Sequence, residues 1–85
     1  MALNVKSRNK GSLIGILDYK NQDGTTEFTL DPGVRKIVVY RNAGIIYEND
    51  TPDGYAVTTS GSYITKVTLN TAMADYELLQ INEFS

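Results

Sequence analysis

The sequence predicts an all-β domain: a small antiparallel β-sandwich or barrel of about seven to eight short strands. Runs rich in Val, Ile, Tyr, Thr and Phe recur at intervals of roughly 8–12 residues, the rhythm of a sandwich or barrel. Gly, Pro, Asn and Asp punctuate those runs, and within several of them apolar and polar residues alternate with the period of a strand. At 85 residues the chain has room for one core, because chains of this length bury only roughly 60–65% of the surface they expose when unfolded. It therefore reads as a single β domain over residues 1–85.

The first run is Leu3–Lys6, within an alternating opening, Met1-Ala2-Leu3-Asn4-Val5-Lys6. That opening lacks the basic patch and apolar block of a secretory signal. Ser7-Arg8-Asn9-Lys10-Gly11 has linker character, so residues 1–11 are expected to form an extended or mobile arm. The following strands are expected near Leu13–Tyr19, Thr26–Leu30, Lys36–Arg41, Gly44–Glu48, Tyr55–Thr58, Tyr63–Leu69 and Tyr76–Ile81. Asp23-Gly24 suits a hairpin between the Leu13 and Thr26 strands, Asn42-Ala43-Gly44 the next one, and Ser60-Gly61 a third. Asp31-Pro32-Gly33 places proline at the second position of a type II turn and glycine where positive φ is needed; Pro52-Asp53-Gly54 repeats the idea.

In Tyr63–Leu69 the alternation sets Tyr63, Thr65, Val67 and Leu69 on one face and Ile64, Lys66 and Thr68 on a solvated one. Leu13-Ile14-Gly15-Ile16-Leu17 and Ile37-Val38-Val39-Tyr40 are instead apolar on both faces. Such strands sit at the centre of a packed domain or against another subunit. Asn70 or Thr71 as a cap, followed by Ala72, Met73 and Ala74, suits one short helical turn near 70–75.

Composition removes several kinds of chemistry. The chain has no cysteine and no histidine, so it lacks disulfide staples, thiolate zinc sites and the commonest general base. No Ser-x-x-Lys or Gly-x-Ser-x-Gly pattern occurs, and the acidic Glu48, Asp50 and Asp53 fall in a turn where such residues ordinarily face water. The expectation is a non-enzyme without cofactor or metal. The oxygen-rich Glu48–Gly54 loop is the one segment with calcium-ligand character, but its spacing does not match the EF-hand loop. Asn49-Asp50-Thr51 fits a glycosylation acceptor, a chance match without a secretion signal. No run approaches the roughly 20 apolar residues of a membrane-spanning helix.

Net charge is −2, spread unevenly: residues 1–42 balance to +3 and residues 43–85 to −5. If the halves form separate faces, identical copies attract head to tail; if a sandwich interleaves them, the asymmetry vanishes. Overall acidity argues against nucleic acid, whose recognition would fall to Lys6, Arg8 and Lys10, joined by Arg35, Lys36 and Arg41, with exposed tyrosines as stacking platforms. The chain holds six tyrosines and two phenylalanines. Tyrosine serves core margins and interfaces alike, because its ring buries area while its hydroxyl stays wet. The residues singled out as partner contacts are Lys6, Arg8, Lys10, Tyr40, Arg41 and Tyr47.

Met1-Ala2-Leu3-Asn4-Val5-Lys6-Ser7-Arg8-Asn9-Lys10-Gly11, the interior Tyr40-Arg41-Asn42-Ala43-Gly44 and the uninterrupted β pattern together resemble small accessory virion proteins of tailed bacteriophages, of the capsid decoration or cement type. The resemblance lies in the style of the whole chain and in no single motif. It implies a compact β domain, found in the virion, that trimerises or otherwise self-associates and clamps a major capsid or other virion protein. The Leu3–Gly11 arm and the Gln80–Ser85 end are then the contact elements. The alternative is an independent β module that binds carbohydrate, peptide or single-stranded nucleic acid through displayed loops.

Overall fold

The computed structural model describes residues 12–85; the expected strand Leu3–Lys6 and the arm 1–11 lie outside the described residues. The described chain is all-β, with strands β1 (Leu13–Lys20), β2 (Glu27–Thr29), β3 (Lys36–Arg41), β4 (Gly44–Ile46), β5 (Tyr55–Ser60), β6 (Tyr63–Leu69) and β7 (Leu78–Phe84). They form two antiparallel sheets, a four-stranded one in the order β1-β7-β3-β4 and a three-stranded one in the order β2-β6-β5. Between them lies the core, with Val39, Leu79 and Ile81 from the first sheet, Phe28, Tyr55, Val67 and Leu69 from the second, and Leu30, Val34 and Met73 from the connections. Tyr19 tilts against Phe28 with ring centroids 4.7 Å apart, joining the two sheets across this core.

Turn chemistry explains most connections. Asn42 and Ala43 have φ of 53° and 70°, the two positive values that a type I′ turn requires, and they join Arg41 to its cross-strand partner Gly44. Alanine carries a Cβ penalty at that φ. Ala43→Gly is therefore expected to raise unfolding free energy by about 0.5–1 kcal/mol, relief of strain exceeding the added chain entropy; urea denaturation measures it. Gly61 (φ 61°) turns β5 into β6, and Gly33 (φ 85°) follows Pro32 as the type II pattern requires.

Several expectations are corrected. Gly24 does turn, with φ 81° and a Thr25 N–H donating to Gln22 O at 2.9 Å, but Asp23-Gly24 closes no hairpin. It carries the chain from one sheet to the other, because β1 pairs with the distant β7 and β2 pairs with β6. No helical turn forms at 70–75: Thr71 and Ala72 give their carbonyls to the Arg41 side chain, and the Met73 N–H donates to Thr25 O at 3.1 Å. With those backbone groups engaged elsewhere, an intrahelical ladder has no partners. The last strand consequently starts at Leu78 instead of Tyr76 and runs on to Phe84.

In β6 the alternation breaks. Thr58 faces Lys66 while Thr59 faces Ile64, so Thr65 is an extra residue. Such a bulge moves the preceding side chains to the opposite face, which is why Ile64 packs against the core while Tyr63 is exposed. Gly54 does not sit at positive φ. It is required by space, because the 47–55 loop folds tightly on itself where it carries the chain from β4 to β5. Finally, the charge halves interleave: β7 lies between β1 and β3, and ion pairs such as Lys66–Glu27 at 3.3 Å join one half to the other.

Candidate interaction face

The four-stranded sheet turns one side to the core and leaves the other open. Cross-strand register places Leu13, Phe84 and Lys36 in one outer row, Ile16, Asn82 and Val38 in the next, and Asp18, Gln80, Tyr40 and Ile45 in a third. Lys20 and Leu78 complete it. Leu13, Ile16, Ile45 and Leu78 are each about half exposed, at 48–54%, and Val38, Tyr40 and Phe84 are half-buried between them. Together they present apolar surface on the order of several hundred Å², the range in which a patch on a monomer is often functional. Asp18, Lys20 and Lys36 give this face a charged rim. Within it, Gln80 Nε2 donates to Asp18 Oδ1 at 2.9 Å, and the buried Asn82 Oδ1 accepts no hydrogen bond.

One end of the face opens into a groove of about 610 Å³ lined by Asp18, Lys20, Tyr40, Ala43, Leu78 and Gln80 among others. Its wall is fixed from beneath by Arg41. In β3 the inward residues are Ile37, Val39 and Arg41, so the guanidinium is buried and must find partners. Its Nε and Nη2 donate to the two Glu77 oxygens at 3.2 and 2.6 Å. Its Nη1 and Nη2 reach Thr71 O and Ala72 O at 2.8 and 2.9 Å. Glu77 also accepts from the Ala74 N–H at 2.8 Å and from Asn42 Nδ2 at 3.0 Å. The Arg41 hydrogen bonds above all, and then the Ala74 N–H, hold the Glu77 carboxyl at about 2. Asn42 Oδ1 accepts from the Leu78 N–H at 2.9 Å, tying the β3–β4 turn to the start of β7.

Of the residues singled out in the sequence, Lys6, Arg8 and Lys10 lie outside the described residues. Tyr40 is on the outer face, half-buried beside Gln80 and Ile45. Tyr47 follows β4 and is exposed. Arg41 faces inward and donates four hydrogen bonds to Glu77, Thr71 and Ala72, so it shapes the groove from below. Among the remaining tyrosines, Tyr55 is buried, Tyr19 half-buried, and Tyr63 and Tyr76 exposed. Tyr63 is already engaged: its hydroxyl accepts from Arg35 Nη2 at 3.3 Å, and the Arg35 guanidinium stands 5.2 Å from its ring centroid.

The sequence singled out none of the outer-face residues Leu13, Ile16, Ile45 and Leu78 individually. For Leu13 and Ile16 the signal is the two-faced apolar character of the β1 run, whereas Ile45 and Leu78 lie outside both two-faced runs. In the Glu48–Gly54 loop, Asp50 Oδ1 accepts from the Thr51 N–H at 3.1 Å, and Asn70 Nδ2 donates to Asp50 O at 2.6 Å. Among the described residues no three carboxylate, histidine or cysteine side chains gather as a metal site, and no helix is long and apolar enough to cross a membrane. No protein family, curated protein or solved structure matches the chain.

Proposed function

We propose that this chain is a non-enzymatic structural protein that acts by burying the outer face of its four-stranded sheet against further copies of itself, as a capsid decoration or similar accessory protein of a virion. The observation that carries the reading is the continuity of that face: Leu13, Ile16, Ile45 and Leu78 are exposed on one sheet surface, around a half-buried centre and inside a charged rim. An apolar centre with a polar rim is the anatomy of a protein interface. Its apolar area supplies a large share of the about 800 Å² that each partner of a standard interface buries, and the rim supplies the rest. The phage resemblance adds the setting, with lattice contacts to a major capsid protein.

Light scattering across a dilution series tests the reading. The expected result is a closed oligomer, such as a trimer, at micromolar concentration. Ile16→Lys combined with Ile45→Lys is expected to weaken association by at least about 100-fold, since buried unpaired charge is costly at an interface, while Ala56→Lys on the other sheet leaves it unchanged. A wild-type monomer at every concentration would overturn the reading.

The groove favours a second reading, a monomeric binding module. Its Tyr40 ring lies beside an Asp18–Gln80 pair, a combination suited to a carbohydrate. Saturable binding of an oligosaccharide panel by the monomer, lost in Tyr40→Ala, would support it.

A further inference from the structure

The alternation that buries Leu79 and Ile81 also turns Glu83 inward. Its side chain is fully buried, at 0% exposure. Glu83 Oε2 accepts the Asp31 N–H at 2.8 Å, whereas Oε1 has no hydrogen-bond donor. The Asp31 carboxyl lies within hydrogen-bonding reach of the same group. Both carboxyls converge over Gly15: a Cβ there would stand 3.2 Å from Glu83 Oε1 and 3.7 Å from Asp31 Oδ2. Two ionised carboxylates offer only acceptors to each other, so a hydrogen bond between them needs a proton.

Among the described residues, the groups that act on this pair supply no positive charge. On β1 the neighbours are Gly15 and the Tyr19 phenol, which burial, and then Glu83 and Asp31, raise above its ordinary value. On β3 the register partner of Glu83 is Ile37.

We propose that Glu83 keeps its proton in the folded chain and donates it toward the Asp31 carboxyl, forming a pH-sensitive latch between the Asp31-Pro32-Gly33 turn and β7 that is closed in acid and loosened as Glu83 ionises. Burial is the leading cause of the raised Glu83 pKa, with the Asp31 carboxyl adding to it. A carboxyl raised on folding contributes stability that is complete below the ordinary value of 4.5 and is lost as pH rises through the folded value. The loosening reaches the outer face, because Gly15 and Leu13 pair with Glu83 and Phe84 across an irregular register.

The test is the urea midpoint of the full chain between about pH 5 and about pH 8, for wild type, Glu83→Gln and Asp31→Asn. The wild-type midpoint is expected to fall as pH rises. Glu83→Gln, which keeps the shape of the protonated group, should abolish the fall and exceed wild type at the alkaline end, while Asp31→Asn should make the fall smaller. Protection of the Asp31 amide proton, taken as its NMR exchange rate relative to the intrinsic rate at each pH in wild type, is a second readout and should fall over the same range. A flat or rising wild-type midpoint, or Glu83→Gln falling in parallel with wild type, would overturn the latch. An unchanged protection factor across the range would do the same.

Discussion

Replacing Gly54 with alanine is expected to cost about 3 kcal/mol or more of folding stability, the upper range for overpacking a closed site. The added Cβ would overlap Asp50 O and stand 2.5 Å from Tyr47 O and 2.6 Å from Asp50 N. All three are backbone atoms, so no side-chain rotation relieves the clash. The atoms in the way belong to the loop's own hydrogen bonds, Tyr55 N–H to Tyr47 O at 3.2 Å, Asp50 N–H to Tyr47 O at 3.3 Å and Gly54 N–H to Asp50 O at 3.2 Å, and Gly54 O itself accepts the Asn70 N–H at 3.0 Å. Moving them apart breaks the crossing from β4 to β5 and its tie to the 70–77 segment. Chemical denaturation of Gly54→Ala beside Gly61→Ala checks the mechanism. Gly61 has open space around it, so its replacement is limited to the αL cost of about 1–2 kcal/mol.

Arg41→Met is expected to cost about 3–5 kcal/mol, the usual penalty for removing one partner of a buried pair. It strands the Glu77 carboxylate, whose side chain is only 16% exposed, together with the carbonyls of Thr71 and Ala72. The same pair sets an acid limb. A carboxyl lowered on folding contributes stability that is present above the ordinary value of 4.5 and lost as pH falls toward about 2; partial exposure leaves this contribution on the order of 2–3 kcal/mol. Wild-type stability measured from pH 5 downward should show this loss, and Glu77→Gln should show little of it. The limb is opposite in sign to that of Glu83, so the two carboxyls bracket a stability maximum on the acid side of neutrality.

Strand positions were legible where turn residues bound them. Lys36–Arg41 and Tyr63–Leu69 have the ends their flanking Gly and Asn residues suggest, because local φ preferences act within a few residues. Pairing was not legible. β1 lies against β7 from the far end of the chain, and no local signal distinguishes that partner from β2, so a correct turn at Asp23-Gly24 gave a wrong hairpin. The bulge at Thr65 escaped for the same reason: it is a property of the β5–β6 pair.

Period-2 alternation also marks which charged side chains turn inward. It sets Arg41 with Ile37 and Val39, and Glu83 with Leu79 and Ile81, which marks both charged groups as inward and in need of partners. A strand end expected at Ile81 leaves Glu83 beyond the alternation, whereas β7 runs on to Phe84. The outer face was partly legible: the two-faced runs in β1 and β3 announced a second apolar surface, and the fold assembled them on one side of one sheet.

The central claim, that this outer face is buried when copies associate, is tested most directly by thiol protection, since the chain has no cysteine of its own. Ile45→Cys reports from the outer face and Ala56→Cys from an exposed position on the other sheet. Their labelling rates are compared at concentrations above and below the association midpoint. The account predicts that Ile45→Cys labels at least about 10-fold more slowly in the associated state while Ala56→Cys is unchanged. Equal protection at both positions, or protection of Ala56→Cys alone, would contradict it.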